Sequence, residues 1–159
     1  MTILLRYGDL DGEGIKGSAS FEKYNGWIEL RSLELGGGRK IAMTHDGNWA
    51  QAENLPFLSE IVATKRCDRS SPPLFQASLQ GSALEIEVHL LGSSGKDRQM
   101  ELRFEQARIA TYRLQIDDGD PIEHLTLVYT SIEMTFRPSS PEEQGLPNIT
   151  MSYTWNRAR

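Results

Sequence analysis

Cysteine is almost missing from this chain, with Cys67 standing alone among 159 residues. A lone thiol excludes an internal disulfide framework, so packing has to supply the stability. Long apolar runs are lacking too. The start, Met1 to Arg6, is apolar over Ile3-Leu4-Leu5 and turns polar at Gly8-Asp9. A secretory signal takes about 7–15 apolar residues and a membrane helix about 20. The expectation is therefore no signal peptide and no membrane insertion. Basic charge is short as well: 17 Lys and Arg against 22 Asp and Glu leave a net charge of −5. That balance argues against non-specific nucleic-acid binding, which needs a basic stripe.

Spacings that carry chemistry are equally scarce. His45, His89 and His124 lie far apart with no metal-ligand pattern. A cysteine nucleophile needs a histidine within hydrogen-bond reach, and none is fixed near Cys67, which reads as a packing residue ahead of a helix. Asp9-x-Asp11-x-Glu13-Gly14 imitates the start of a calcium loop, but the twelfth position is Ser20, where an acidic ligand is required. It reads as a tight acidic turn. Gly36-Gly37-Gly38 is no phosphate cradle, because no helix with a suitably placed basic residue follows it. Scattered carboxylates such as Asp46 and Glu123 show no hydrolase spacing. The expectation is no catalytic residue, no cofactor and no metal.

What the chain has is alternation. Thr2–Tyr7 reads as a strand ending in the cluster Gly8 to Gly14, and Trp27–Leu35 as a second, broken by Gly36-Gly37-Gly38. The polar stretch that follows runs to about Asn54, with apolar points at Met43, Trp49 and Leu55. Loops this long are usually functional, so residues 36–55, including His45, are expected to form a contact arm. Phe57–Lys65 reads as a strand leading to one short helix, Ser71–Gln80, with Ser71 as N-cap, Pro72 at the first helical position and Gly81 at C′. Ten residues do not hold a helix in water alone, so it must lie against a sheet.

After the helix the pattern sharpens. Leu84, Ile86, Val88 and Leu90 alternate with Glu85, Glu87 and His89, and Met100, Leu102 and Phe104 with Glu101, Arg103 and Glu105. A third strand is expected over Arg108–Ile116. In Ile122–Phe136 the phase changes: Leu125, Leu127 and Tyr129 keep one register, Ile132, Met134 and Phe136 the other. A one-residue slip swaps faces, so a bulge or a crossing between two sheets is expected near Thr130-Ser131. A last strand spans Ile149 to Trp155. One helix among so many strands points to a single mainly-β domain, curled into a barrel or a sandwich.

Five collinear segments stand out: Gly8 to Glu13, Gly26 to Leu30, Lys65 to Leu74 with Ala77 and Gly81, Glu123 to Tyr129, and Gly145-Leu146-Pro147 leading to Trp155-Asn156. Together they resemble the haemolysin-coregulated protein (Hcp) family, the tube proteins of type VI secretion systems. The third looks like the family's Lys-x-x-Asp-x-Ser-Ser/Thr-Pro-x-Leu lead into its single helix.

The resemblance implies a two-sheet antiparallel β-barrel with one flanking helix, similar to phage tail-tube proteins, over residues 1–159. It implies hexameric rings that stack into a tube, held in the bacterial cytoplasm and then expelled into target cells. Partners would be further copies of itself, the spike, the sheath and effectors carried in the lumen, with no enzymatic activity, no nucleic acid and no membrane insertion. Ser32 and Glu34 are expected on the inner wall and residues 36–55 at an inter-subunit contact. The alternative from the residues is a lipocalin-like barrel holding a small ligand. A mid-chain helix and an irregular strand series count against it.

Overall fold

The apolar phase of each strand decides which side turns inward. A computed structural model describes residues 1–47, 56–93, 97–138 and 140–155. Its strands are β1 (Thr2–Tyr7), β2 (Ile28–Leu30), β3 (Ser32–Glu34), β4 (Gly37–Gly38), β5 (Phe57–Leu58), β6 (Ile61–Arg66), β7 (Leu84–Leu91), β8 (Arg98–Gln115), β9 (Ile122–Val128), β10 (Ser131–Phe136) and β11 (Ile149–Thr154). The helix α1 (Ser71–Gln80) stands between β6 and β7.

The strands pair in the order β2-β1-β7-β8-β9-β6-β3, all antiparallel, with β10 beside β8 and β11 beside β10. The two ends of that order are halves of one stretch of chain, interrupted only at Arg31, whose N–H donates to Thr64 O at 2.8 Å. The wall thus curls round on itself, as the mainly-β barrel reading requires. Two sheets make it up. The first holds β1, β2, β7, β10, β11 and the front of β8. The second holds β3, β6, β9 and the rest of β8.

β8 joins them. Met100 to Glu105 face β10, and Arg108 to Gln115 face β9. The turnover lies where the phase change put it: Gln106 takes a positive φ of 53°, and Thr130 N–H donates to Glu105 O at 3.0 Å. Leu125 and Leu127 before that point and Ile132 after it are all buried.

Inside, Phe104, Ile86, Val88, Leu102 and Leu127 pack with Leu74 of α1 into one core. A second, smaller cluster lies on the outer face of the first sheet, where Leu4 and Leu91 are covered by Ala19 and Trp27. Gly17 allows this cover, since a Cβ there would lie 2.4 Å from the Trp27 carbonyl oxygen.

Several boundaries differ from the sequence expectation. Arg108–Ile116 is no separate strand but the far part of β8, because the hairpin with β9 and β10 runs straight through Gln106. Trp27–Leu35 splits at Arg31, where the chain changes sheets. Phe57–Lys65 divides into β5 and β6, and Gly37-Gly38 does not simply break a strand but pairs with β5. Ser71 is the first helical residue rather than the cap, and Gly81 ends α1 in extended backbone (φ −74°) rather than a left-handed turn.

Candidate assembly and cargo surfaces

The segment that leads into the helix is a buried clasp. Lys65 and Glu123 are both 0% exposed, and their side chains form a direct ion pair from β6 to β9. Lys65 Nζ also donates to Asp68 Oδ1 at 3.0 Å and to Arg66 O at 2.8 Å. Tyr112 OH reaches the other Glu123 oxygen at 2.5 Å. Asp68 accepts from Ser70 N–H at 2.8 Å and from the Ser70 hydroxyl, and Ser71 Oγ accepts from Asp68 N–H at 2.9 Å. Burial pushes the Asp68 carboxyl up, but the bonds from Ser70 and Lys65 and the lysine charge outweigh it, and the net direction is down. Tyr112 is held well above its ordinary range by burial first and by Glu123 second. The polar residues Lys65, Asp68, Ser70 and Ser71 therefore lock helix to sheet, because buried charges are tolerated only when paired and bonded.

Cys67 is exposed beside this clasp. The described histidine contacts go elsewhere. His124 Nε2 lies 3.3 Å from Gln115 Oε1. His89, 4% exposed, is held between Tyr24 OH (2.9 Å at Nδ1) and Glu87 Oε1 (2.6 Å at Nε2). One neutral tautomer satisfies both: Tyr24 donates to Nδ1, and Nε2–H donates to Glu87. That bond from His89, with help from Arg6 and against the opposing effect of burial, lowers the Glu87 carboxyl to about 2. Glu87, His89 and Glu101 come within 4.8 Å of one another, a spacing that could suit a cation. The donors are already occupied, however. Arg6 lies 3.0 Å from Glu87, while Arg98 (2.6 Å) and Arg137 (3.0 Å) share Glu101. Three guanidinium groups stand where a cation's charge would go. The calcium-like turn is likewise self-satisfied, with Asp9 Oδ1 accepting from Asp11 N–H at 3.0 Å.

Three surfaces are left open. The outer face of the second sheet is polar, and Ser32 and Glu34 both lie exposed on it. Ser32 Oγ bonds Thr64 Oγ1 at 2.5 Å across the β3–β6 pair. The arm leaves β3 at Gly36, makes the short β4–β5 pairing, and carries exposed Ile41, Met43 and His45. Trp49 and Leu55 of the expected arm lie outside the described residues. The third surface is one the alternation of Ile149, Met151, Tyr153 and Trp155 did not assign. Among the described residues β11 pairs only with β10, and Ile149 (67%) and Met151 (49%) stand in solvent. Period-2 alternation marks one apolar face, but it does not say whether that face meets the subunit's own core.

A family model described as "Type VI secretion system effector, Hcp" matches residues 7–136. The chain belongs to the Hcp family. Its members are structural tube proteins, so this Hcp chain is a tube protein of a type VI secretion system. No curated protein sequence matches it. Among solved structures it is similar to an Hcp1 mutant from E. coli EAEC 042, with 23% identity, TM-score 0.73, and 98% and 99% of the two chains covered. Hcp1 from Salmonella typhimurium gives 15% identity, TM-score 0.74 and coverage of 98% and 96%. The tube-terminating cap of the anti-feeding prophage gives 11%, 0.55 and 85% and 88%. At these identities the likeness carries the fold. Among the described residues, no helix is long and apolar enough to cross a membrane.

Proposed function

We propose that this Hcp chain is a single-domain subunit, residues 1–159, that closes into a hexameric ring and stacks ring on ring into the secretion tube. Effectors ride in the lumen. The work is done by surfaces and not by an active site. The observation that carries the ring is β11, a six-residue strand whose outer edge has no partner among the described residues and whose apolar side chains stand in solvent. Such an edge on a free subunit is a pairing hazard, whereas in a head-to-tail ring it is covered by the next copy.

The exposed four-stranded face with Ser32 and Glu34 then lines the lumen, and the arm around Gly36, Gly37, Gly38, Met43 and His45 reaches a neighbouring subunit or ring. The spike, the sheath and effectors complete the set of partners. The protein waits in the cytoplasm until it is expelled. A ligand-barrel reading is disfavoured by an interior filled with Phe104, Ile86 and Leu102.

Light scattering after size exclusion, with negative-stain images of the peak, tests this. The expected mass is near six times the 17.9 kDa chain, with open-centred rings. A monomer that persists on concentration would count against the ring.

A further inference from the structure

The two sheets treat their outward arginines differently. On the first sheet, each arginine that faces out sits beside a glutamate: Arg6 with Glu85 and Glu87, Arg98 and Arg137 with Glu101, Arg103 with Glu85 at 3.8 Å. On the second sheet the pairing register sets out the outer face as rows across four strands. One row is Glu34, Val62, Thr126 and Thr111. The next is Ser32, Thr64, His124 and Arg113. Arg66, Ile122 and Gln115 follow, and Val128 with Arg108 lies at the other end.

Arg66, Arg108 and Arg113 are exposed, and none has a carboxylate within ion-pair distance among the described residues. Glu34 is the one acid in these rows. Its backbone lies about 16 Å from Arg108, three strand spacings across and one row along, and about 14 Å from Arg66. That exceeds the screening length of roughly 8 Å at physiological salt. At the Arg66 end, a cleft of about 410 Å³ opens, with Arg31 and Arg66 on its lining beside Glu29 and Asp68. Arg31, too, is exposed and has no ion pair among the described residues.

A chain of net charge −5 thus keeps three outward arginines of one sheet face without an ion pair among the described residues, interleaved with hydroxyls of Ser32, Thr64, Thr111 and Thr126. We infer that this face selects cargo by charge: its occupant is a protein surface rich in carboxylates, gripped by Arg66, Arg108 and Arg113 and bonded by the hydroxyl rows. Guanidinium groups take carboxylates in a two-bond fork, and fixed charge of one sign both steers the right partner and repels the wrong one. Nucleic acid is the weaker match, because the rows present no Phe, Tyr or Trp ring on which a base would stack and only the single imidazole of His124. The inference rests on the lumen reading for its biological setting, although the charge asymmetry belongs to the single subunit.

The test uses the full chain and fluorescein-labelled oligo-glutamate, oligo-lysine and oligothymidylate, read by anisotropy, with light scattering on the same samples. The expected result is at least tenfold tighter binding of oligo-glutamate than of oligo-lysine, weakening with salt. Arg66→Gln/Arg108→Gln/Arg113→Gln should lose about tenfold or more with unchanged mass, and Lys16→Gln, off this face, should bind as the parent does. A ring that does not discriminate, or a triple variant that binds like the parent, overturns the inference and leaves the ring standing. A monomer with arginine-dependent oligo-glutamate binding does the reverse, and a monomer that binds neither peptide removes both. Tighter, arginine-dependent binding of oligothymidylate would reassign the face to nucleic acid.

Discussion

At the scale of single residues, the polar groups that look most like chemistry are spent on holding the fold. Lys65 neutralises Glu123 where neither reaches water, and it also serves Asp68 and a backbone carbonyl. Lys65→Met leaves Glu123 buried and unpaired, an expected loss of about 3–5 kcal/mol in urea or thermal unfolding. Adding Glu123→Leu should recover much of it, because an apolar pair of similar size often replaces a buried ion pair at little cost. Glu87 gives a pH signature. Its folded-state value near 2 lies below the ordinary 4.5, so its contribution to stability is complete above about pH 4.5 and disappears as the pH falls toward 2. Glu87→Gln should flatten the acid limb of a stability-against-pH profile in that window. Sequence reading found Lys65 and Asp68 through their motif but not the partnership with Glu123, 58 positions away. Nothing local in either segment announces a contact made by pairing β6 with β9.

Elements tell a different story about legibility. The phase change between Leu127 and Ile132 located the passage from one sheet to the other, because a slip of one residue in alternation has a direct geometric meaning. The break at Arg31 left a similar mark, since the apolar positions shift from Ile28 and Leu30 to Leu33 and Leu35. That shift reads equally as two faces of one strand, and what divides the strand is a change of partner, from β1 to β6. The continuity of β8 was hidden because Gln106 is an ordinary residue in an unusual conformation. β11 is where the apolar pattern was clear and its meaning was not. Ile149→Glu/Met151→Glu should alter the stability of the subunit by no more than about 0.5 kcal/mol, as for other surface changes, and yet lower the mass seen by light scattering. A ring of full mass in that variant would show that its closure does not use this edge.

For the whole molecule, surface location rather than any one residue assigns the roles: an open edge, a polar sheet face and an arm leave three parts of one small barrel. Shortening the arm, by joining Gly38 to Phe57 through a tight turn that keeps the β4–β5 pairing, should preserve the mass of the ring and reduce end-to-end stacking in electron micrographs.

The closure at Arg31 also has a kinetic consequence. Ile28–Glu34 is made early on the ribosome, but its partners on the β6 side must themselves wait for β9, and β1 waits for β7. The local hairpin of β8 with β9 can form as soon as its turn is complete, whereas the pairings of β1 with β7 and of β6 with β9 join segments far apart in the chain, which makes such topologies slow. Until the closure at Arg31 is made, β2 and β3 present bare edges. The rate at which one short strand finds its place would then set how much of this protein survives to be assembled.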